Sequence, residues 1–173
     1  LHADIGNATD GGDFHAELAG ISLELRQIGA TSEGHPWYIA LISSPENLRN
    51  VDRYREISLR LAHPEGLSDA EARALAQDGK TIVAIEGGLH ATETAHAQHT
   101  IQLAYDLVTE KDGATTRAIL DNVITLLWTS INPDGQTMVA DWYESNLGTP
   151  FELSPLPGLY QAYIGHDNNR DGY

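Results

Sequence analysis

KTIVAIEGGLHATETAHAQHT, residues 80–100, changes character twice within its length. Thr81-Ile82-Val83-Ala84-Ile85 is a short apolar, β-branched run, as a buried strand requires. Gly87 and Gly88 then break it. Beyond Glu93 the apolar residues Ala95, Ile101, Leu103, Ala104, Leu107 and Val108 recur at intervals of three, four and seven, which predicts a helix from about Thr92 to Thr109. The stretch therefore reads as strand, glycine turn and helix. His90 and Glu93 fall just past the carboxyl end of the strand, where open α/β sheets bind their ligands.

Working outward, residues 20–44 read as an antiparallel hairpin. Ile21, Leu23 and Leu25 alternate with polar residues, Thr31-Ser32-Glu33-Gly34 is a turn, and Trp37 to Ile42 is the second strand. Before it, residues 1–12 read as a loose lead-in, with Phe14 to Leu18 as the end of a helix. Pro45 ends the hairpin, and Leu48, Val51, Tyr54, Ile57, Leu59 and Leu61 predict one amphipathic helix. Ser68 and Glu71 have capping-box spacing for a short helix to about Leu75. Lys111-Asp112-Gly113 ends the long helix. Asn122 to Trp128 predicts a second buried strand, Asn132-Pro133-Asp134-Gly135 a turn, and Gln136 to Ser145 a helix, followed by a Pro/Gly-rich loop over residues 148–158. Strands alternating with helices after residue 80 predict a largely parallel sheet there, with the hairpin adding antiparallel strands. The fold class is α/β, a mixed central sheet flanked by helices, in a single domain over residues 1–173.

Composition limits the function classes. With 41% hydrophobic and 20% charged residues the chain is ordinary globular protein. A net charge of −15 argues against nucleic acid or an anionic membrane surface as a partner. No apolar run reaches the length of a membrane span. Cysteine is absent, so any metal must be held by nitrogen and oxygen donors. The Asn7-Ala8-Thr9 sequon is too short a signal to weigh. The sequence begins with Leu1 rather than Met, as expected of a processed or excised chain.

Three constellations carry chemistry. His90 and Glu93, three apart at a turn entering a helix, can converge on one cation. The same pair equally describes a turn-capping imidazole and a carboxylate at a helix N-terminus. His96 and His99 follow at further intervals of three, as extra ligands or as a solvated face. Asn132-Pro133-Asp134-Gly135 is a strong turn and nothing more by itself. Gly165-His166-Asp167-Asn168-Asn169-Arg170-Asp171 offers a guanidinium and amides that can bind a carboxylate, or form a local ion pair.

In this order, strand-GGLHATE-helix, strand-INPDG and GHDNNRD resemble the zinc carboxypeptidase family, the carboxypeptidase A-like metallopeptidases. Ile28-Gly29 and Thr31-Ser32-Glu33-Gly34 look like that family's first hairpin, so the resemblance runs from about residue 14 to 173. It implies a zinc cofactor held by His90 and Glu93, and Asp167 as the aspartate that orients the ligand histidine. It also implies Asn169 and Arg170 as the grip on a peptide's free C-terminal carboxylate, with hydrolysis of C-terminal peptide bonds by metal-activated water. Peptide or protein C-termini are the implied partners, and an extracellular or periplasmic location is the family's. The third zinc ligand and the catalytic glutamate are expected downstream of Tyr173. The chain is thus expected to be the N-terminal part of a catalytic domain, inactive alone, with no catalytic base of its own. The family's carbonyl-polarising arginine is missing, since residues 135–168 contain no arginine. Two alternatives stand beside this reading: an amidohydrolase or deacylase on the same scaffold, and a catalytically dead binding domain, to which the missing arginine gives weight.

Overall fold

The computed structural model describes residues 22–109, 113–158 and 169. Within them, four strands form one mixed sheet in the order β1-β2-β4-β3. β1 (Leu23–Ala30) and β2 (Pro36–Ile42) are the expected antiparallel hairpin. β2 runs antiparallel to β4 (Val123–Trp128), and β4 runs parallel to β3 (Thr81–Glu86). The sheet is therefore α/β and mixed, as read from the alternation of patterns.

β4 is the centre of the molecule because its alternate residues enter two different cores. Leu127 joins Ala40 and Ile42 of β2, and these meet Leu107 of α4 (Thr94–Thr109) and Leu120 of α5 (Ala114–Asn122) on one face. Ile124, three residues earlier and so on the opposite face, packs with Tyr54 and Ile57 of α2 (Val51–Ala62). Leu75 of α3 (Asp69–Asp78) adds to that second cluster. A strand covered on both faces has no need of polar alternation, which is why VITLLW is apolar but for the buried Thr125.

The helices differ from expectation in identifiable places. The single helix expected across Leu48 to Leu61 is two: α1 (Pro45–Arg49) and α2, joined at Asn50, whose φ of −109° and ψ of 16° interrupt the ladder. Ser44 caps α1 by accepting from Asn47 N, and Pro45 sits at its start. The capping box of α3 is present: Ser68 accepts from Glu71 N, and the Glu71 carboxylate accepts from Ser68. The Ser68 hydroxyl and amide hold the Glu71 carboxyl below the usual carboxylate range. α5 was not anticipated; it occupies the segment between Gly113 and the strand, and takes Asn122 from the strand's expected start. The expected lead-in over residues 1–12, the helix end at Phe14 to Leu18, and Ile21 lie outside the described residues.

β3 is the main correction. Expected to be buried, it is an edge strand among the described residues, with Val83 and Ala84 exposed and Ile82 and Ile85 half-buried. Among the described residues it pairs with a strand on one side only.

Leu127 has no exposed surface, and both the sheet and the α4–α5 layer close on it. Leu127→Ala is expected to remove about 3–5 kcal/mol of stability through lost transfer energy and the residual cavity. Urea unfolding measures it; an unchanged midpoint would place the core elsewhere.

Candidate metal centre

The loop that carries His90 is an extension of the β3–β4 ladder. Regular pairing ends at Glu86 opposite Trp128. Gly87 then donates its N–H to Trp128 O at 3.2 Å and accepts from Ile131 N at 2.8 Å. The Asn132 side-chain amide donates to Leu89 O at 3.1 Å. Both glycines are required, Gly87 by close approach and Gly88 by its backbone conformation. A Cβ on Gly87 would lie 2.7 Å from Thr100 Cγ2 and 2.8 Å from His96 O, while Gly88 has φ of +74°. α4 thus packs directly against the loop backbone. Thr100, fully buried, fixes it there, its hydroxyl within hydrogen-bond distance of Ala97 O and Thr129 O.

From Gly88 the chain turns once before helix begins. Glu93 N donates to His90 O at 3.0 Å, and His96 N donates to Glu93 O at 3.1 Å. α4 starts at Thr94, two residues later than expected, so His90 and Glu93 stand on the turn that leads into it. The buried face of α4 is Ala97, Thr100 and Leu107, whereas Ala95 and Ile101, expected to be apolar contacts, are exposed.

This turn brings His90 and Glu93 together: His90 Nδ1 lies 3.2 Å from Glu93 Oε2. The same oxygen lies 3.3 Å from His96 Nδ1. The His90 side chain is 25% exposed, Glu93 47% and His96 55%, so the pair opens to solvent and the outer imidazole more so. Two donors that each bind zinc at about 2.0–2.1 Å in a tetrahedron stand about 3.3 Å apart. The His90–Glu93 separation has that value, and imidazole nitrogen with carboxylate oxygen is a donor set zinc accepts. In this respect the residues fit the metal. The same two atoms are also within hydrogen-bond distance of each other. Among the described residues, no group of three or more His, Asp or Glu side chains could hold an ion. His96 and His99, both exposed, do not complete one.

Of the carboxylate-binding constellation, Asp167 and Arg170 lie outside the described residues, as does His166, while Asn169 is described and exposed. The Asn-Pro-Asp-Gly segment does more than turn the chain. It is the first turn of α6 (Pro133–Asn146), which begins three residues before the expected start. Asp134 Oδ2 accepts from Glu33 N at 3.2 Å, and Trp37 Nε1 donates to Ser130 O at 3.3 Å. The hairpin and the His90 loop are thus both tied to residues 130–134. Asn132 and Thr100 are site-shaping residues that sequence reading passed over. The one signal for Thr100 was a hydroxyl on the apolar side of a helix.

The zinc carboxypeptidase family model matches residues 16–171 of the chain. No curated protein matches it. Among solved structures, the chain is similar to a candidate carboxypeptidase A from Shewanella denitrificans OS-217, at 15% identity and a TM-score of 0.47, over 76% of this chain and 28% of that one. It is also similar to a metallo-carboxypeptidase from Burkholderia cenocepacia, at 18% identity and a TM-score of 0.42, over 78% of this chain and 31% of that one. The chain therefore spans less than a third of the length of either structure.

Because one of the atoms facing Gly87 is a helix carbonyl that cannot rotate away, Gly87→Ala is expected to cost about 1–3 kcal/mol by overpacking. Thermal unfolding of the metal-free chain reports this. An unchanged midpoint would mean that α4 is not seated on the loop.

Proposed function

The chain belongs to the zinc carboxypeptidase family, and we propose that it contributes two zinc ligands, His90 and Glu93, to a hydrolase that cleaves C-terminal peptide bonds. The observation that carries this reading is the 3.2 Å approach of His90 Nδ1 to Glu93 Oε2 at the carboxyl end of β3. A zinc ion bound there would supply carbonyl polarisation and a water of lowered pKa. His90 and Glu93 hold and orient; neither is a proton acceptor for the reaction. Asp167 would accept from the His90 ring and fix its tautomer, as carboxylates behind ligand histidines do. Arg170 would receive the substrate's terminal carboxylate through paired N–H donors, with Asn169 adding an amide. The general base and the third ligand have no assignment within residues 1–173, so the chain alone would hydrolyse no peptide.

Peptide or protein C-termini are the substrates this reading requires, and a secreted or periplasmic setting goes with it. No helix among the described residues is long and apolar enough to cross a membrane. The lack of arginine between 135 and 168 favours a second reading, a domain that keeps the fold and the ligand pair but binds without hydrolysing.

Calorimetric zinc titration with metal analysis tests the ligand assignment. Wild type is expected to bind one zinc per chain, His90→Ala none, and neither to show peptidase activity. Equal zinc uptake by both would remove His90 from the site. Peptidase activity abolished by His90→Ala would mean that the base and third ligand lie within the chain after all.

A further inference from the structure

We propose that Asn132 is a positioning residue for His90: its side chain replaces a missing backbone donor and thereby holds the His90 loop on the first turn of α6. The inference rests on reading His90 as a zinc ligand, and deepens it.

The need for such a residue follows from the ladder. Along a parallel pair, successive carbonyls on one edge of a strand are two residues apart, as are the donors they meet. Ile131 N meets Gly87 O at 2.8 Å. Pairing has already slipped by one residue at Ile131 and Gly88 turns the chain with φ of +74°, so the carbonyl two residues on is Leu89 O and the backbone position two beyond Ile131 is residue 133. That residue is Pro133, which has none. Proline is there because it occupies the start of α6, where its fixed φ suits the helix and the missing N–H costs the helix nothing. Helix initiation and strand extension therefore conflict at this position, and without a substitute the carbonyl adjoining His90 would have no donor from β4's extension.

The neighbouring side chain supplies one. Asn132 Nδ2 lies 3.1 Å from Leu89 O. Its Oδ1 accepts from Gly135 N at 3.0 Å, capping α6. One planar amide thus spans the helix start and the metal loop, each end meeting the complementary group; flipped, it would set oxygen against oxygen and N–H against N–H. Gly135 completes the device. A Cβ there would come within 2.6 Å of Asn132 Nδ2 and 2.8 Å of Oδ1, so only glycine leaves the amide its place. Asn-Pro-X-Gly is then one mechanism: proline starts the helix and removes a donor, asparagine restores it, and glycine makes room. Asp134 acts separately, on the hairpin.

Asn132→Asp separates the two functions of the amide. It keeps an oxygen for Gly135 N, with a charge that favours a helix N-terminus, but cannot donate to Leu89 O. In the metal-free 173-residue chain, hydrogen exchange is expected to quicken several-fold across residues 88–93 in Asn132→Asp while the first turn of α6 keeps its protection. Asn132→Ala is expected to loosen both. Zinc should bind Asn132→Asp about tenfold or more weakly than wild type, the usual effect of removing an outer partner of a ligand. Wild-type exchange in the loop of Asn132→Asp would overturn the proposal, as would a loosened loop with undiminished zinc affinity. If His90→Ala takes up zinc as wild type does, or wild type takes up none, the ligand reading fails instead. The exchange data then still decide whether Asn132 holds the loop.

Discussion

The parallel pairing of β3 with β4 does not stop where the sheet stops, and the candidate centre depends on that continuation. Gly87 is held from both sides, by Trp128 O and Ile131 N, so the two segments stay hydrogen-bonded past the last regular pair with one extra residue on the β4 side. This places a backbone segment with no side chain directly under α4. The helix can then approach until Thr100 and the His96 carbonyl fill the space a Cβ would need. The direction in which His90 and Glu93 leave the turn follows from that seating. The donor pair stands on a turn whose two ends are seated by β3 and by α4, the kind of support a metal site asks of its scaffold.

The pair itself is electrostatically simple. Glu93 Oε2 faces two imidazoles, His90 and His96, at nearly equal distances, and only the first is substantially covered. The covered one is thus the better candidate for a fixed ligand, and the exposed one for a solvated neighbour. A cation bound between the two would replace their mutual contact by a common coordination partner, and its uptake would add to stability. The chain's large negative charge would attract a cation in general without selecting this site.

Legibility from sequence varied with the physical origin of each feature. β4, the hairpin and the strand-glycine-helix around His90 were readable because apolar runs and glycine turns are local signals. The Ser68–Glu71 capping box was readable for the same reason. Burial of β3 was misjudged because an apolar run does not reveal how many neighbours its strand has. The break at Asn50 was missed because it carries no glycine or proline, and α5 because the glycine at its N-cap, Gly113, was read only as the end of the preceding helix. Asn132 was read as a turn residue; its second role depends on a partner 43 positions away in sequence. Ala95 and Ile101 had helical spacing yet lie off the packed face, which is set by where α4 meets Gly87.

The most direct test is where the metal sits. Crystals of the zinc-loaded chain, measured on both sides of the zinc absorption edge, would locate the ion without reference to activity. The expected result is one anomalous peak about 2.0–2.2 Å from a His90 ring nitrogen and from a Glu93 carboxylate oxygen. A peak on His96 or His99 with none at His90 would contradict the assignment, and with it the role given to the extended β3–β4 ladder.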